Sequence, residues 1–190
     1  VCQTSEMAPS IRTVLTKRGP IEFADDGLTD GPVVLTVHGS PGGSDQGPLM
    51  GGFLVDAGFR VVSPSRPGYL GTPWTPSVAT PHVQAVMLAD LMTELDIENF
   101  GVFSWSGGGP CGYRLAVEYP QRVRALVAFA ALSARYEWRM SLMDRLTFGT
   151  SIGELLLKVA IARTPRFIVS GTLSSEGSLT DSVVERRTAA

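Results

Sequence analysis

Histidine is scarce in this sequence of 190 residues: only His38 and His82 occur, and both lie in its first half. Cysteine is equally rare. Cys2 and Cys111 form neither a metal-ligand spacing nor a disulfide framework, and nothing in the sequence supports a bridge between them. Long apolar runs are missing too. The longest, Ala125–Leu132, has eight residues, against the roughly 20 that a membrane-spanning helix needs. No charged-then-apolar leader opens the sequence; a cytoplasmic location is the expectation, with a secreted or periplasmic one after processing as the alternative. Excess charge is absent as well, with 16 Lys and Arg against 18 Asp and Glu for a net charge of −2. A near-balance of this kind argues against a nucleic-acid partner, which calls for a basic face. It also leaves no polybasic segment for an anionic membrane. A hydrophobic content of 44% can build a core, so disordered and fibrous classes are excluded.

What is present alternates between strand and helix. Ile11–Leu15 and Ile21–Ala24 flank Lys17-Arg18-Gly19-Pro20 and predict an opening hairpin. Val33–Val37, Phe59–Val62, Phe100–Phe103 and Val123–Ala130 are short apolar runs, the pattern of strands buried on both faces. Thr80 caps a predicted helix with Pro81 in its first position and Val83, Val86, Met87, Leu91 and Leu95 along one stripe. A second helix follows Pro110 and ends near Tyr119-Pro120. The alternation predicts an α/β fold, a mostly parallel sheet with helices on both faces. Ligands bind outside the carboxyl ends of such strands, so function is expected in the loops after Val37, Val62, Phe103 and Ala130. Residues 1–134 read as a core and 135–190 as an incomplete helical lid, with an apolar helix over Ile152–Ala162 and a short apolar Phe167-Ile168-Val169.

Chemistry concentrates at Phe100-Gly101-Val102-Phe103-Ser104-Trp105-Ser106-Gly107-Gly108-Gly109-Pro110. A strand runs directly into Ser106 and a helix starts directly after it. A nucleophile on such a turn sits in strained backbone, and small residues two before and two after, here Ser104 and Gly108, keep neighbouring chains from clashing. The helix that follows aims its unpaired amides and positive dipole end at Ser106. A second glycine-rich loop, His38-Gly39-Ser40-Pro41-Gly42-Gly43, follows the run Val33–Val37. Its main chain can approach a ligand without side-chain interference. The amides of Gly107 and Ser40 are then the expected oxyanion hole. Gly107-Gly108-Gly109 lacks the Lys that a phosphate-binding loop places after its glycines, and no metal ligand cluster or cofactor fingerprint is present.

These two loops, together with Arg66-Pro67-Gly68-Tyr69 between them and Tyr119-Pro120-Gln121-Arg122-Val123 after them, occur in an order that resembles the α/β-hydrolase superfamily. The resemblance is in particular to serine hydrolases near its proline iminopeptidase, esterase and haloperoxidase-like branch, over about Ile11 to Leu132. The resemblance implies Ser106 as nucleophile, Gly107 and Ser40 as oxyanion donors, and His38 as a residue that organises its loop rather than a base. His38, Gly39, Trp105 and Trp138 are the candidate substrate-contacting residues. Two positions depart from the pattern: Ser104 replaces the usual Gly, and Ser65 stands where the family often has Asp. A serine rather than an aspartate at position 106 argues against epoxide hydrolase and haloalkane dehalogenase chemistry.

The scarcity of histidine now matters. A serine hydroxyl needs an adjacent base, itself oriented by a carboxylate, and in this fold both follow the nucleophile in the chain. No histidine follows Ser106. His82 reads as a solvated or capping residue. Glu137 lies where some members carry the acid, although a lid or surface role fits it better, and Asp144, Glu154, Glu176 and Asp181 read as lid charges. The expectation is therefore a serine hydrolase acting on an ester, amide or related acyl bond of a small-molecule substrate. A second polypeptide segment, docked beside Val123–Ala130, would bring the last strands, an acid and a histidine. The alternative is a non-catalytic, hydrolase-like ligand-binding or regulatory protein. Trp138, Met140, Met143, Phe148 and Leu155–Leu157 would supply an apolar pocket or simply pack the lid on itself.

Overall fold

A computed structural model describes residues 10–134 and 142–163. Contacts divide the chain into two compact units, one up to Tyr136 and the other from Glu137. The first unit holds a six-stranded sheet made of β1 (Ser10–Thr16), β2 (Gly19–Gly27), β3 (Val33–Val37), β4 (Arg60–Pro64), β5 (Phe100–Trp105) and β6 (Val123–Phe129). Their order across the sheet is β1-β2-β4-β3-β5-β6. The hairpin β1–β2 joins β4 antiparallel, and β4, β3, β5 and β6 run parallel. Short β-branched runs account for the central strands, because residues buried on both faces need no polar alternation.

Helices cover both faces. On one lie α2 (Pro81–Glu94) and α3 (Gly109–Glu118). Leu35, Val37, Val62, Phe100 and Val102 from the strands meet Leu88, Leu91, Met92 and Leu115 from these helices in the main core. Each such side chain contributes about 1.5–3 kcal/mol by leaving water. Thr80 caps α2 as its sequence predicts, its Oγ1 accepting from the Val83 amide at 3.3 Å. The buried part of α2 is wider than the expected stripe, since Ala85, Leu88, Ala89 and Met92 are also buried.

On the other face lies α1 (Gly47–Asp56), a helix that the sequence pattern does not single out. Its sequence, GPLMGGFLVD, is poor in helix formers. Packing explains it instead: a Cβ on Gly51 would lie 2.6 Å from Val61 Cγ1, so the bare helix backbone sits directly on β4. Met50 and Val61 are buried in that contact.

Among the described residues β6 is the last strand at one edge of the sheet. Val127 is 53% and Phe129 57% exposed. In the second unit, taken by itself, α4 (Leu142–Phe148) and α5 (Ser151–Arg163) are joined through Thr150. Thr150 Oγ1 accepts from the Gly153 amide at 3.0 Å and donates to Leu146 O at 2.7 Å. Leu142, Ile152, Leu155 and Leu156 are exposed there. The Phe167-Ile168-Val169 run lies outside the described residues.

Candidate active site

The parallel pairing of β3 with β5 places their carboxyl ends side by side, and the two glycine-rich loops leave from those ends. Ser106 follows β5, opens a short turn over Ser106–Gly108, and α3 begins at Gly109. Its φ is 49°, left-handed backbone that a non-glycine residue adopts only when its surroundings impose it. The Leu132 amide donates to Ser106 O at 3.0 Å and so ties the turn to the loop after β6.

The loop after β3 lies against this turn. A Cβ on Gly39 would meet Ser106 Cβ at 3.0 Å and its Oγ at 3.5 Å, so a larger residue would crowd the nucleophile. Ser40 Oγ lies 3.1 Å from where a Cβ of Gly107 would be, which brings together the two residues expected to donate main-chain amides. Ser40 precedes a cis peptide bond to Pro41.

His38 is 2% exposed and spent on the main chain. Its Nδ1 donates to Gly39 O at 2.7 Å, and its Nε2 accepts from the Arg66 amide at 2.8 Å. Burial, aided by the nearby Arg66 charge, lowers its pKa to about 4. His38 is thus a neutral brace between two loops, with no ring nitrogen left for Ser106.

Arg66 is the second brace. Its Nη2 donates to Gly39 O at 2.8 Å and to Ser40 Oγ at 2.9 Å, and its guanidinium lies over the Tyr69 ring at 5.2 Å. Tyr69 in turn bonds Ser40 Oγ at 2.7 Å and packs its ring edge-on to His38. Burial pulls the Arg66 pKa below the ordinary arginine value. Its Nε is buried with no hydrogen-bond partner among the described residues.

Ser65, where an Asp is common, is served by a carboxylate from elsewhere. Glu22 on β2 accepts from Ser65 Oγ at 2.9 Å and from Ser44 Oγ at 2.8 Å through Oε1. Its Oε2 accepts from the Gly71 amide at 3.0 Å. Ser65 Oγ also receives the Ser44 amide at 2.9 Å. No local motif marks Glu22, since its partners are 22 to 49 residues away in sequence. Only the antiparallel pairing of β2 with β4 brings it there.

The remaining candidates are dispersed. Trp105 is half-buried and meets the Phe129 ring edge-on at 6.1 Å. Trp138 and Glu137 lie outside the described residues. His82 Nδ1 is 2.8 Å from Glu118 Oε1 on α3, a carboxylate that Arg114 also approaches at 3.5 Å. Cys111 is a free, buried thiol whose pKa burial pushes up to about 12. Among the described residues no three His, Cys, Asp or Glu side chains converge as metal ligands.

Strand order, strained serine turn and glycine loop are those of a hydrolase scaffold. The alpha/beta hydrolase fold family profile matches residues 32–175, and the chain belongs to that family. It is 31% identical over 134 residues to "Uncharacterized hydrolase YcgS" of Bacillus subtilis, covering 70% of this chain and 44% of that protein. It is 30% identical over 111 residues to a haloalkane dehalogenase of Psychrobacter cryohalolentis, covering 57% of this chain and 36% of that one. Among solved structures, an alpha/beta hydrolase fold protein from Nakamurella multipartita superimposes with a TM-score of 0.72 at 45% identity, covering 95% of this chain and 62% of that one. The chain therefore spans less than half the length of these two curated relatives.

Proposed function

We propose that this chain carries the nucleophile and oxyanion loop of a serine hydrolase that cleaves an ester, amide or related acyl bond in a small molecule. The observation that carries the reading is Ser106 at φ 49° on the strand-to-helix turn, with Gly39 packed against its side chain. Strain of this kind persists only where the surroundings impose it. Here it lifts a hydroxyl to the carboxyl end of the sheet, beside the start of α3. Ser106 Oγ attacks the acyl carbon and gives its proton to a base. That proton then passes to the departing alcohol or amine, and water releases the acyl group. The likeness to a haloalkane dehalogenase rests on scaffold, because the residue at the elbow is serine. The loop motifs favour the proline iminopeptidase, esterase and haloperoxidase-like branch, with residues 135–190 as its lid.

The base is proposed to come from a further polypeptide segment that pairs with β6 and brings an acid and a histidine. Two observations support this. Both histidines of the sequence have partners, His38 in the main chain and His82 in Glu118. Among the described residues β6 is also an edge strand, whose unpaired backbone is a liability that a neighbouring strand removes.

A fluorophosphonate probe tests the reading. Covalent labelling of Ser106 in the full-length protein, abolished in Ser106→Ala, is expected; no labelling of folded protein favours a non-catalytic binding role instead. Residues 1–190 alone are expected to turn over p-nitrophenyl esters at background rates. Sustained turnover by them, comparable with the full-length protein, rules out the need for another segment.

A further inference from the structure

We infer that the side-chain hydroxyl of Ser40, held by Arg66 and Tyr69, is a third donor to the oxyanion of the acyl intermediate, alongside the main-chain amides of Gly107 and Ser40. The inference rests on the serine-hydrolase reading and adds a residue role to it.

Hydrogen-bond inventory carries the first step. A hydroxyl has one proton and two lone pairs, and a guanidinium only donates. Arg66 Nη2, at 2.9 Å, occupies one lone pair of Ser40 Oγ. Tyr69 Oη lies 2.7 Å from the same atom. Either oxygen can donate across that contact, and with Tyr69 as the donor the second lone pair of Ser40 Oγ is filled too. The Ser40 proton is then without an acceptor among the described residues, as is the buried Arg66 Nε.

Position carries the second step. Ser40 is an exposed residue, and the contact of its hydroxyl with Tyr69 lies at the surface. Its Oγ stands 3.1 Å from the Cβ position of Gly107, the residue directly after the nucleophile, and the adjoining Gly39 packs on Ser106 itself. A carbonyl oxygen received between Gly107 and Ser40 comes within reach of this hydroxyl.

Charge carries the third. Arg66 is buried, its Nε has no partner, and no carboxylate bonds it among the described residues. A buried cation without a counter-charge polarises the hydroxyl it touches and strengthens that hydroxyl as a donor. Negative charge one hydroxyl away appears only when the acyl carbon becomes tetrahedral. The interaction therefore strengthens toward the transition state, which raises kcat rather than tightening substrate binding.

The test compares wild type, Ser40→Ala, Ser40→Gly and Ser40→Thr in the full-length protein. It measures the rate of fluorophosphonate labelling of Ser106, the kcat and KM for a p-nitrophenyl ester, and Tm. Alanine and glycine keep the main-chain amide and remove the hydroxyl; glycine gives the answer if the alanine variant folds poorly. Losing one oxyanion donor lowers kcat by about 10²-fold. Both variants are expected to show that order of loss in kcat and labelling, with KM within about twofold and a Tm that stays well above the assay temperature, while threonine restores most of the rate. Labelling and kcat within about twofold of wild type in the alanine and glycine variants, or a rise in KM with kcat intact, overturns the role of the hydroxyl and leaves the serine-hydrolase reading standing. An unreactive wild type overturns both.

Discussion

Ser104 and Gly112 share one space beneath the elbow: a Cβ on Gly112 would lie 2.8 Å from both Cβ and Oγ of Ser104. Ser104 is fully buried at the end of β5, where a residue smaller than serine is the family's habit, and α3 makes the room by carrying a glycine in its middle. Glycine there costs the helix about 1 kcal/mol relative to alanine.

The pair predicts coupled substitutions. Gly112→Ala alone overpacks the site and destabilises by about 1–3 kcal/mol despite its better helix propensity. With Ser104→Gly in the same chain most of that loss disappears, because the methyl then has space. Urea melts of the two single variants and the double variant measure the coupling. Simple additivity would show that the two residues do not compete for space.

Ser106 predicts a gain in stability at the expense of chemistry. At φ 49° the serine carries left-handed strain that glycine does not feel. Ser106→Gly is expected to raise stability by up to about 1 kcal/mol and to abolish fluorophosphonate labelling. A lower Tm than wild type would mean that the turn is not strained at this residue.

Glu22 predicts damage at a distance from any motif. Glu22→Ala leaves the Ser44 and Ser65 hydroxyls and the Gly71 amide without their acceptor. Unsatisfied groups of this kind cost about 1–3 kcal/mol each where they are buried, so a loss of several kcal/mol is expected. Ser65→Asp in the Glu22→Ala background is expected to recover part of it, since it restores a carboxylate to the same network. Thermal denaturation of wild type and of these two variants decides.

His38 predicts the acid sensitivity of the fold. Its pKa is about 4 in the folded protein and about 6.5 in an unfolded chain. Between these values the unfolded chain binds more protons, so stability rises with pH across that window. Stability from neutral His38 is complete above pH ~6.5 and is lost as pH falls toward ~4, up to about 3 kcal/mol in all. Urea melts from pH 4 to 7.5 should show this slope, and His38→Asn, less stable at neutral pH, should flatten it. An unchanged slope in the variant would place the acid sensitivity in other groups.

Much of the fold is legible in the residues because its signals are local. Val33–Val37 forms a strand over those five residues. Thr80-Pro81 starts α2, and Gly109-Pro110 starts α3. Helix α1 is not legible, because glycines that lower helix propensity are there to let Gly51 sit on Val61, a contact visible only once β4 is beside it. Around the elbow, Ser40, Ser106 and Gly107 can be singled out by their loops. Glu22 cannot, because its three partners belong to other segments.

The amino-acid order by itself therefore determined the alternation of strand and helix, the two glycine loops and the identity of the serine between strand and helix. These follow from side-chain branching, caps and glycine placement within a few residues. Tertiary structure alone decided what those groups can do. Burial turned His38 into a neutral brace, and among the described residues it held Arg66 against Ser40 without a carboxylate and left β6 at the edge of the sheet. Hydrogen-bond supply, desolvation and clearance depend on which distant segments meet, and that is settled only when the sheet assembles.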